Sequence, residues 1–206
     1  MSMVDHYEIT KILLECGAIK LNLDKKFVWA SGIHSPIYCD NRVILSYPKQ
    51  RDTIASAVAR EIRRNFSNVN AIVGVATAGI PVGVLVAQKL NIAYAYCRTE
   101  PKKHGAKKQL EGTLKENSQL VVFEDLISTG KSSLKVVDYL KSNHHNVLGV
   151  QAIFTYGTKM ATKNFREHNT KIETLINARQ LIEAASNNGY ISSDEARMVF
   201  SFLKTL

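Results

Sequence analysis

The sequence predicts an α/β fold with an open, mainly parallel sheet flanked by helices. Short apolar runs rich in β-branched residues alternate with stretches of helical periodicity, which is typical of strand–helix–strand units. The apolar runs are residues 71–75, 92–96, 120–123, 147–154 and, more weakly, 172–176. The chain length of 206 residues fits one domain, so we expect residues 1–206 to form a single unit.

The N-terminal part contains two predicted helices with a non-helical segment between them. Apolar residues recur at helical spacing from Ile9 to Cys16, and Gly17 is expected to end that helix. Residues 27–43 show no helical period and contain glycine and proline, which favours short strands or a structured loop. Pro48 then begins a second amphipathic helix at a position where proline is favoured.

Residues 71–88 are 18 residues without a charge, long enough to imitate a membrane-spanning helix. Glycines and Pro81 interrupt the segment, so we interpret it as a buried strand, a turn and a helix over residues 81–90. Further helices are predicted at residues 132–142, 178–185 and 193–203.

Composition excludes several classes of protein. Hydrophobic residues make up 45% and charged residues 22% of the chain, which argues against disordered, collagenous or disulfide-scaffold proteins. Three widely spaced cysteines predict free thiols in a reducing compartment, and we see no signal peptide, so a cytoplasmic location is expected. The net charge of +9 suits a phosphate-bearing partner. Charge alone does not distinguish a small polyphosphate from a nucleic acid.

The basic residues are concentrated in one polar segment, residues 98–112, here called the basic loop. Between positions 98 and 108 it carries five Lys or Arg against one Glu. Because it is almost free of apolar residues, it is predicted to be either a solvated surface excursion or a mobile lid between two buried strands.

Residues 120–133, LVVFEDLISTGKSS, carry the strongest chemical signal. An apolar strand is followed by Glu124 and Asp125 and then by a hydroxyl- and glycine-rich segment that leads into a helix. The hydroxyl groups expected to donate to a phosphate there are those of Ser128, Thr129, Ser132 and Ser133. We call residues 126–132 the phosphate loop, because free N–H groups at a helix N-terminus bind phosphate and Gly130 allows close backbone approach. A P-loop is excluded, since its first glycine would fall on Asp125. The adjacent carboxylates suit the hydroxyls of a ribose 5-phosphate.

This segment resembles the phosphoribosyl pyrophosphate signature of type I phosphoribosyltransferases. Three more segments resemble the orotate-specific family within that class, namely residues 27–42 (FVWASGIHSPIYCDNR), 74–81 (GVATAGIP) and 98–105 (RTEPKKHG). The resemblance implies a magnesium-dependent transfer of ribose 5-phosphate from phosphoribosyl pyrophosphate to orotate, in pyrimidine biosynthesis. It also implies a homodimer whose lid, residues 98–105, reaches the neighbouring site, and an N-terminal hood, residues 1–45, on the orotate side.

The resemblance assigns roles to individual residues. Lys102, His104 and Asp125 are the expected catalytic residues, because cations near the leaving pyrophosphate stabilise the charge that develops there and His104 can donate a proton. Ser128, Tyr38 and Arg42 are expected at the orotate. No protein residue is expected to ligate Mg²⁺ directly; the substrate mainly holds the ion, near Asp125. The residues expected to bind phosphoribosyl pyrophosphate and its pyrophosphate are Thr77, Ala78, Arg98, Lys102, Lys103, His104, Glu124, Asp125, Leu126, Ile127, Ser128, Thr129, Gly130, Lys131 and Ser132.

The chain departs from the family pattern at several positions. Ala30, Ala78 and Thr99 stand where some relatives carry lysine, and the segment around Tyr156 lacks an arginine that some relatives use on orotate. Two alternatives therefore stay open. One is a phosphoribosyltransferase for another base, and the other is a regulatory nucleic-acid-binding protein built on the same fold, against which the sparse aromatic interleaving argues.

Overall fold

The computed structural model describes residues 6–22, 27–29, 33–101 and 108–206. Its centre is a six-stranded sheet of β5 (Ala71–Val75), β6 (Ala93–Cys97), β7 (Leu110–Glu111), β8 (Gln119–Ile127), β9 (Asn146–Thr155) and β10 (Ile172–Asn177). The strand order is β10-β9-β8-β5-β6-β7, and every neighbouring pair is parallel except β6 and β7. The predicted α/β class with an open, mainly parallel sheet is therefore confirmed.

Helices cover both faces of this sheet. They are α1 (His6–Glu15), α2 (Pro48–Asn65), α3 (Gly79–Leu90), α4 (Lys131–Ser142), α5 (Lys159–Glu167), α6 (Ala178–Asn187) and α7 (Ser193–Leu203). Along β8 the side chains alternate, so that Val121 and Phe123 join the larger core cluster, whereas Leu120 and Val122 join the smaller one. Residues of α1, α2, α3, α6 and α7 bury the first face, and residues of α4 and α5 bury the second.

Short elements of the N-terminal segment pack beside the carboxyl end of the sheet. Two small antiparallel pairs are formed by β1 (Ile19–Leu21) with β4 (Ile37–Cys39) and by β2 (Phe27–Val28) with β3 (His34–Ser35). A 3₁₀ helix, η1 (Asn41–Ser46), follows. The Cys39 N–H donates to the hydroxyl of Tyr156 at 3.1 Å, and the Trp29 and Tyr156 rings lie 4.2 Å apart between centroids. These contacts attach the segment to the residues that follow β9.

Most predicted elements agree with the structure to within a few residues, and the exceptions have physical reasons. The prediction missed α5, whose face contributes only Ala161 and Phe165 to the core. It also missed the two-residue strand β7 and the 3₁₀ helix η1, which are too short to show a periodic pattern. Residues 71–88 divide into β5 and α3, as expected. Within the described ranges, no helix combines the length and the apolarity needed to cross a membrane.

Candidate active site

The order in which the chain adds strands to the sheet reverses between the parallel strands β5 and β8. Strands β6 and β7 lie on one side of this pair, and β9 and β10 lie on the other. Ligands of open α/β sheets bind outside the carboxyl ends of the strands at such a switch point. The segments that follow β5 and β8 are therefore the first place to look for a site.

The acidic pair lies inside β8 and not beyond its end. The sequence placed the end of this strand at Phe123, but the ladder with β9 continues through Ile127 paired with Thr155. On the other side, pairing with β5 stops at Gly74 and Phe123. Glu124 and Asp125 thus lie beyond the last residue of β8 that pairs with β5.

Both carboxylates are held in a poorly hydrated place. Glu124 is only 6% exposed, and the Asp125 N–H donates to its Oε1 at 3.1 Å. Burial, followed by the adjacent charge of Asp125, raises the pKa of Glu124 well above its ordinary value. Burial also raises the pKa of Asp125, while the charge of Arg42 acts in the opposite direction. Two such carboxylates attract hydroxyl donors and cations.

The phosphate loop presents backbone and hydroxyl groups at the start of α4. Gly130 has φ +77° and lies directly before the first turn of the helix, with Lys131 and Ser132 exposed beyond it. A Cβ at Gly130 would lie 2.5 Å from Cε2 of Phe165, so glycine is required by both conformation and space. Ser128 and Thr129 are half-buried. Ile127 is buried in the core, so only its backbone can face a ligand.

One hydroxyl group of the helix start is not available to a ligand. The sequence suggested Ser133 as a donor to phosphate together with Ser128, Thr129 and Ser132. In the structure Ser133 is buried, and its Oγ donates to the carbonyl oxygen of Gly130 at 3.1 Å. Its role is therefore to close the turn, and that part of the expectation is wrong.

Thr77 and Ala78 belong to a tight turn that lies directly on β8. This turn, residues 76–79, connects β5 to α3, and we call it the pyrophosphate loop. A Cβ on Gly79 would be 2.7 Å from the carbonyl oxygen of Phe123. The Ala76 N–H donates to the Cys97 carbonyl at 2.8 Å, which fixes the loop against β6 as well. The glycine thus lets the loop approach the backbone that precedes Glu124.

Arg98 stands at the carboxyl end of β6, where the basic loop begins. Its N–H donates to the Gln109 carbonyl at 3.0 Å, and the Gln109 side chain donates back to the Arg98 carbonyl at 2.9 Å. The guanidinium lies 3.9 Å from a carboxylate oxygen of Glu111 and above the ring of Tyr96. Lys102, Lys103 and His104 lie outside the described residues. Because Ala76 is hydrogen-bonded to Cys97, the residue before Arg98, the base of the expected lid lies next to the pyrophosphate loop.

Tyr38 and Arg42 lie on the N-terminal side of the site. The Tyr38 ring is half-buried, with its centroid 5.6 Å from that of Phe27. Arg42 donates to both carboxylate oxygens of Asp40, each at 2.7 Å, and this pairing lowers the pKa of Asp40. The structure therefore pairs the arginine expected at orotate with a neighbouring carboxylate, and its field reaches Asp125.

Three polar residues that were not predicted from the sequence hold the site together. Asn41 is 2% exposed and donates to the Asp125 carbonyl at 2.7 Å, while Thr158 and Asn164 donate to Ser128 and Thr129 of the phosphate loop. The available signal for Thr158 was its position before a stretch with helical character, where threonine caps a helix through its hydroxyl. Asn41 and Asn164 carried no local signal, because their partners are distant in the sequence.

Comparison with known proteins agrees with this geometry. The family model for the phosphoribosyl transferase domain matches residues 44–182, a range that contains β5, β8 and both loops. The fold and the site therefore define a phosphoribosyltransferase. An orotate phosphoribosyltransferase of Streptococcus thermophilus is 45% identical over 195 residues, which cover 95% of this chain and 93% of the relative. One from Listeria innocua is 46% identical over 188 residues, covering 91% and 90%. The chain belongs to the orotate phosphoribosyltransferase family.

Solved structures support the same assignment of fold. The orotate phosphoribosyltransferase from Aeropyrum pernix superposes with a TM-score of 0.77 at 26% identity, covering 89% of this chain and 99% of that chain. The UMP synthase of Leishmania donovani gives a TM-score of 0.82 at 24% identity. The superposition covers 97% of this chain and 42% of that longer protein.

Proposed function

We propose that the chain transfers ribose 5-phosphate from phosphoribosyl pyrophosphate to orotate, giving orotidine 5′-phosphate and pyrophosphate. The observation that carries this proposal is the meeting of three features at one switch point: the acidic pair, the phosphate loop and the glycine-tight pyrophosphate loop. Curated relatives named for this activity, at 45% identity over nearly the whole chain, support orotate as the acceptor.

The three features divide the donor substrate among them. Glu124 and Asp125 accept hydrogen bonds from ribose hydroxyls, and the N–H groups at the start of α4 bind the 5-phosphate. Thr77 and Ala78 lie across the switch point, where their loop binds the pyrophosphate. Breaking the anomeric C–O bond leaves negative charge on the pyrophosphate and positive charge on the ribose. Arg98 and the lid residues Lys102, Lys103 and His104 stabilise the former, and the carboxylates stabilise the latter.

The site also fits a magnesium ion that arrives with the donor substrate. Within the described ranges, no group of three or more His, Cys, Asp or Glu side chains forms a metal site. Two adjacent carboxylates whose pKa values are raised by burial nevertheless favour a nearby cation. Mg²⁺ dehydrates reluctantly and is held largely by substrate oxygens and water, so the ion would lie near Asp125 with the donor substrate as its main ligand. The ion supplies charge neutralisation on the pyrophosphate.

The wider setting of the activity belongs to the same proposal. We propose a homodimer in which residues 98–105 of one subunit reach the site of the other, with residues 1–206 acting as one domain. A reducing, cytoplasmic setting is supported by the three cysteines, Cys16, Cys39 and Cys97, which are all buried as free thiols.

A direct assay tests the proposed reaction. Loss of orotate absorbance should require both phosphoribosyl pyrophosphate and Mg²⁺, and parallel reactions with adenine, hypoxanthine and uracil should show no comparable turnover. Turnover of another base in place of orotate would retain the donor site and overturn the acceptor. If no base reacts while RNA binds tightly with a steep salt dependence, the regulatory alternative would replace the enzyme.

A further inference from the structure

Three consecutive carbonyl groups of the phosphate loop are bound by side chains from outside the loop. The hydroxyl of Thr158 donates to the Ser128 carbonyl at 2.8 Å. The amide of Asn164 donates to the Thr129 carbonyl at 2.8 Å. The hydroxyl of Ser133 donates to the Gly130 carbonyl at 3.1 Å. Two of these three donors thus come from the N-cap and the body of α5.

Fixing a carbonyl group also fixes the N–H group of the following residue. A trans peptide unit is planar, and its N–H points opposite to its C=O. Holding the carbonyls of Ser128, Thr129 and Gly130 against α5 and α4 therefore directs the N–H groups of residues 129–131 to the other side. The first N–H groups of α4 have no partner within the helix, so they are free to bind an anion.

Helix α5 is itself fixed in place and contacts the loop a third time. The Thr158 hydroxyl accepts from the Ala161 N–H at 3.0 Å, so the same oxygen caps α5 and holds the loop. Ala161 and Phe165 belong to the core cluster on this face of the sheet. The Phe165 ring lies against Gly130, filling the space that a Cβ would need. Residues 128, 129 and 130 are thus each contacted by a different residue of α5 or its cap.

We propose that α5 with its cap Thr158 is a positioning element of the phosphate loop. Thr158 and Asn164 hold the loop carbonyls so that the loop N–H groups are oriented toward the 5-phosphate before the substrate binds. Preorganised donors bind an anion without the loss of conformational entropy that ordering the loop would require. This inference rests on the proposed function only through the donor substrate, because orotate contacts neither residue in this scheme. Thr158 and Asn164 are positioning residues, since each acts through the loop.

The test uses near-isosteric variants of the full-length protein and direct binding measurements. Asn164→Leu removes the amide donor, and its matched control is Asn188→Leu. The Asn188 amide donates to the Ala184 carbonyl at 2.8 Å at the C-terminal end of α6, so that variant loses the same kind of bond elsewhere. Thr158→Val removes the hydroxyl, and Thr158→Ser restores it. The dissociation constant of phosphoribosyl pyrophosphate with Mg²⁺ is measured by calorimetry, with ribose 5-phosphate as a second probe.

We expect Asn164→Leu to weaken binding of both probes about fivefold, the effect of one lost hydrogen bond. Thr158→Val should weaken binding at least as much, because its hydroxyl both holds the loop and caps α5. Thr158→Ser and Asn188→Leu should stay within about twofold of wild type. The KM for orotate should change less than the KM for the donor, and the two asparagine variants should unfold at similar urea concentrations. Unchanged binding in Asn164→Leu, or equal weakening in Asn188→Leu, would overturn the proposal. If Asn164→Leu does not fold, the comparison of Thr158→Val with Thr158→Ser decides. Donor binding by a wild-type protein that does not consume orotate would overturn the proposed function alone.

Discussion

Glu124 and Asp125 show how a single pair of residues joins stability to function. Their carboxylates are adjacent and largely withdrawn from water, and burial raises both pKa values. In the free protein this arrangement is unfavourable at neutral pH, because ionised groups lose hydration on folding. Substrate hydroxyls and a cation would relieve it, so the cost is located where the ligand binds. Active sites commonly retain groups of this kind.

The pH dependence of stability follows from the raised pKa of Glu124. A carboxyl group with a higher pKa in the folded state binds its proton more tightly when the protein is folded. Ionisation of Glu124 therefore lowers the free energy of unfolding by its largest amount above the folded-state pKa. The effect disappears below the pKa of the unfolded chain, 4.5. Glu124→Gln should therefore stabilise the ligand-free protein at pH 7, because it removes a buried group that is costly to ionise. The gain should shrink as the pH falls toward 4.5. Urea unfolding at a series of pH values measures it.

The exposed residue Glu183 provides the control for that experiment. It lies on α6 and pairs with Arg179 on the surface. Glu183→Gln should change stability by less than about 0.5 kcal/mol across the same pH range, as surface substitutions usually do. A destabilised Glu124→Gln protein at pH 7, or a gain that does not depend on pH, would contradict the account given for the acidic pair.

At the scale of elements, the pyrophosphate loop depends on the close approach of α3 to β8. Gly79→Ala would place a Cβ 2.7 Å from the Phe123 carbonyl, a backbone atom that cannot move alone. We expect a loss of about 1 to 3 kcal/mol of stability, which is typical of overpacking, and a rise in KM for phosphoribosyl pyrophosphate. Thermal unfolding and steady-state kinetics measure the two effects.

Gly83 offers a matched substitution on the same helix. A Cβ there would lie 3.2 Å from ring atoms of Phe123 and Tyr94, which are side chains and not backbone. Gly83→Ala gains about 1 kcal/mol of helix propensity, because Gly83 lies inside the helix, and should affect KM far less. Equal effects of the two substitutions on KM would mean that the tight turn at Gly79 has no special part in binding.

The sequence predicted the helices and strands better than it predicted where they end and how they contact one another. Runs such as residues 71–75 and 193–203 agree with β5 and α7 residue for residue, because their apolar pattern is dictated by burial. The end of β8 was wrong because the pattern stops at Phe123 while the backbone ladder to β9 continues. The acidic pair and Gly130 carried local signals, and both lie at the switch point. Asn41 and Asn164 could not be found, since tertiary structure alone brings them to carbonyl groups 84 and 35 residues away. Thr158 could have been recognised as a helix cap, but its bond to a carbonyl group 30 residues away could not.

At the scale of the whole molecule, the proposed exchange of lids between subunits can be tested by mixing inactive proteins. Lys102→Ala removes a lid cation, and Asp125→Asn removes a charge-assisted contact to ribose, so each homodimer should lose most of its turnover but remain folded. If the lid serves the partner's site, a mixed dimer contains one site with both substitutions and one with neither. Unfolding and refolding an equal mixture should then restore roughly a quarter of wild-type activity, since half of the randomly assembled dimers are mixed.

The same experiment distinguishes a lid that serves its own subunit. In that case every site of the mixture carries exactly one substitution, and activity stays at the average of the two variants. Refolding each variant alone under the same conditions controls for recovery of folded protein, and light scattering reports whether a dimer forms. A monomer in solution, or no recovery in a mixture that forms mixed dimers, would overturn the exchange of lids. Recovery near a quarter would show that the charge concentrated in the basic loop acts on the pyrophosphate of a neighbouring subunit.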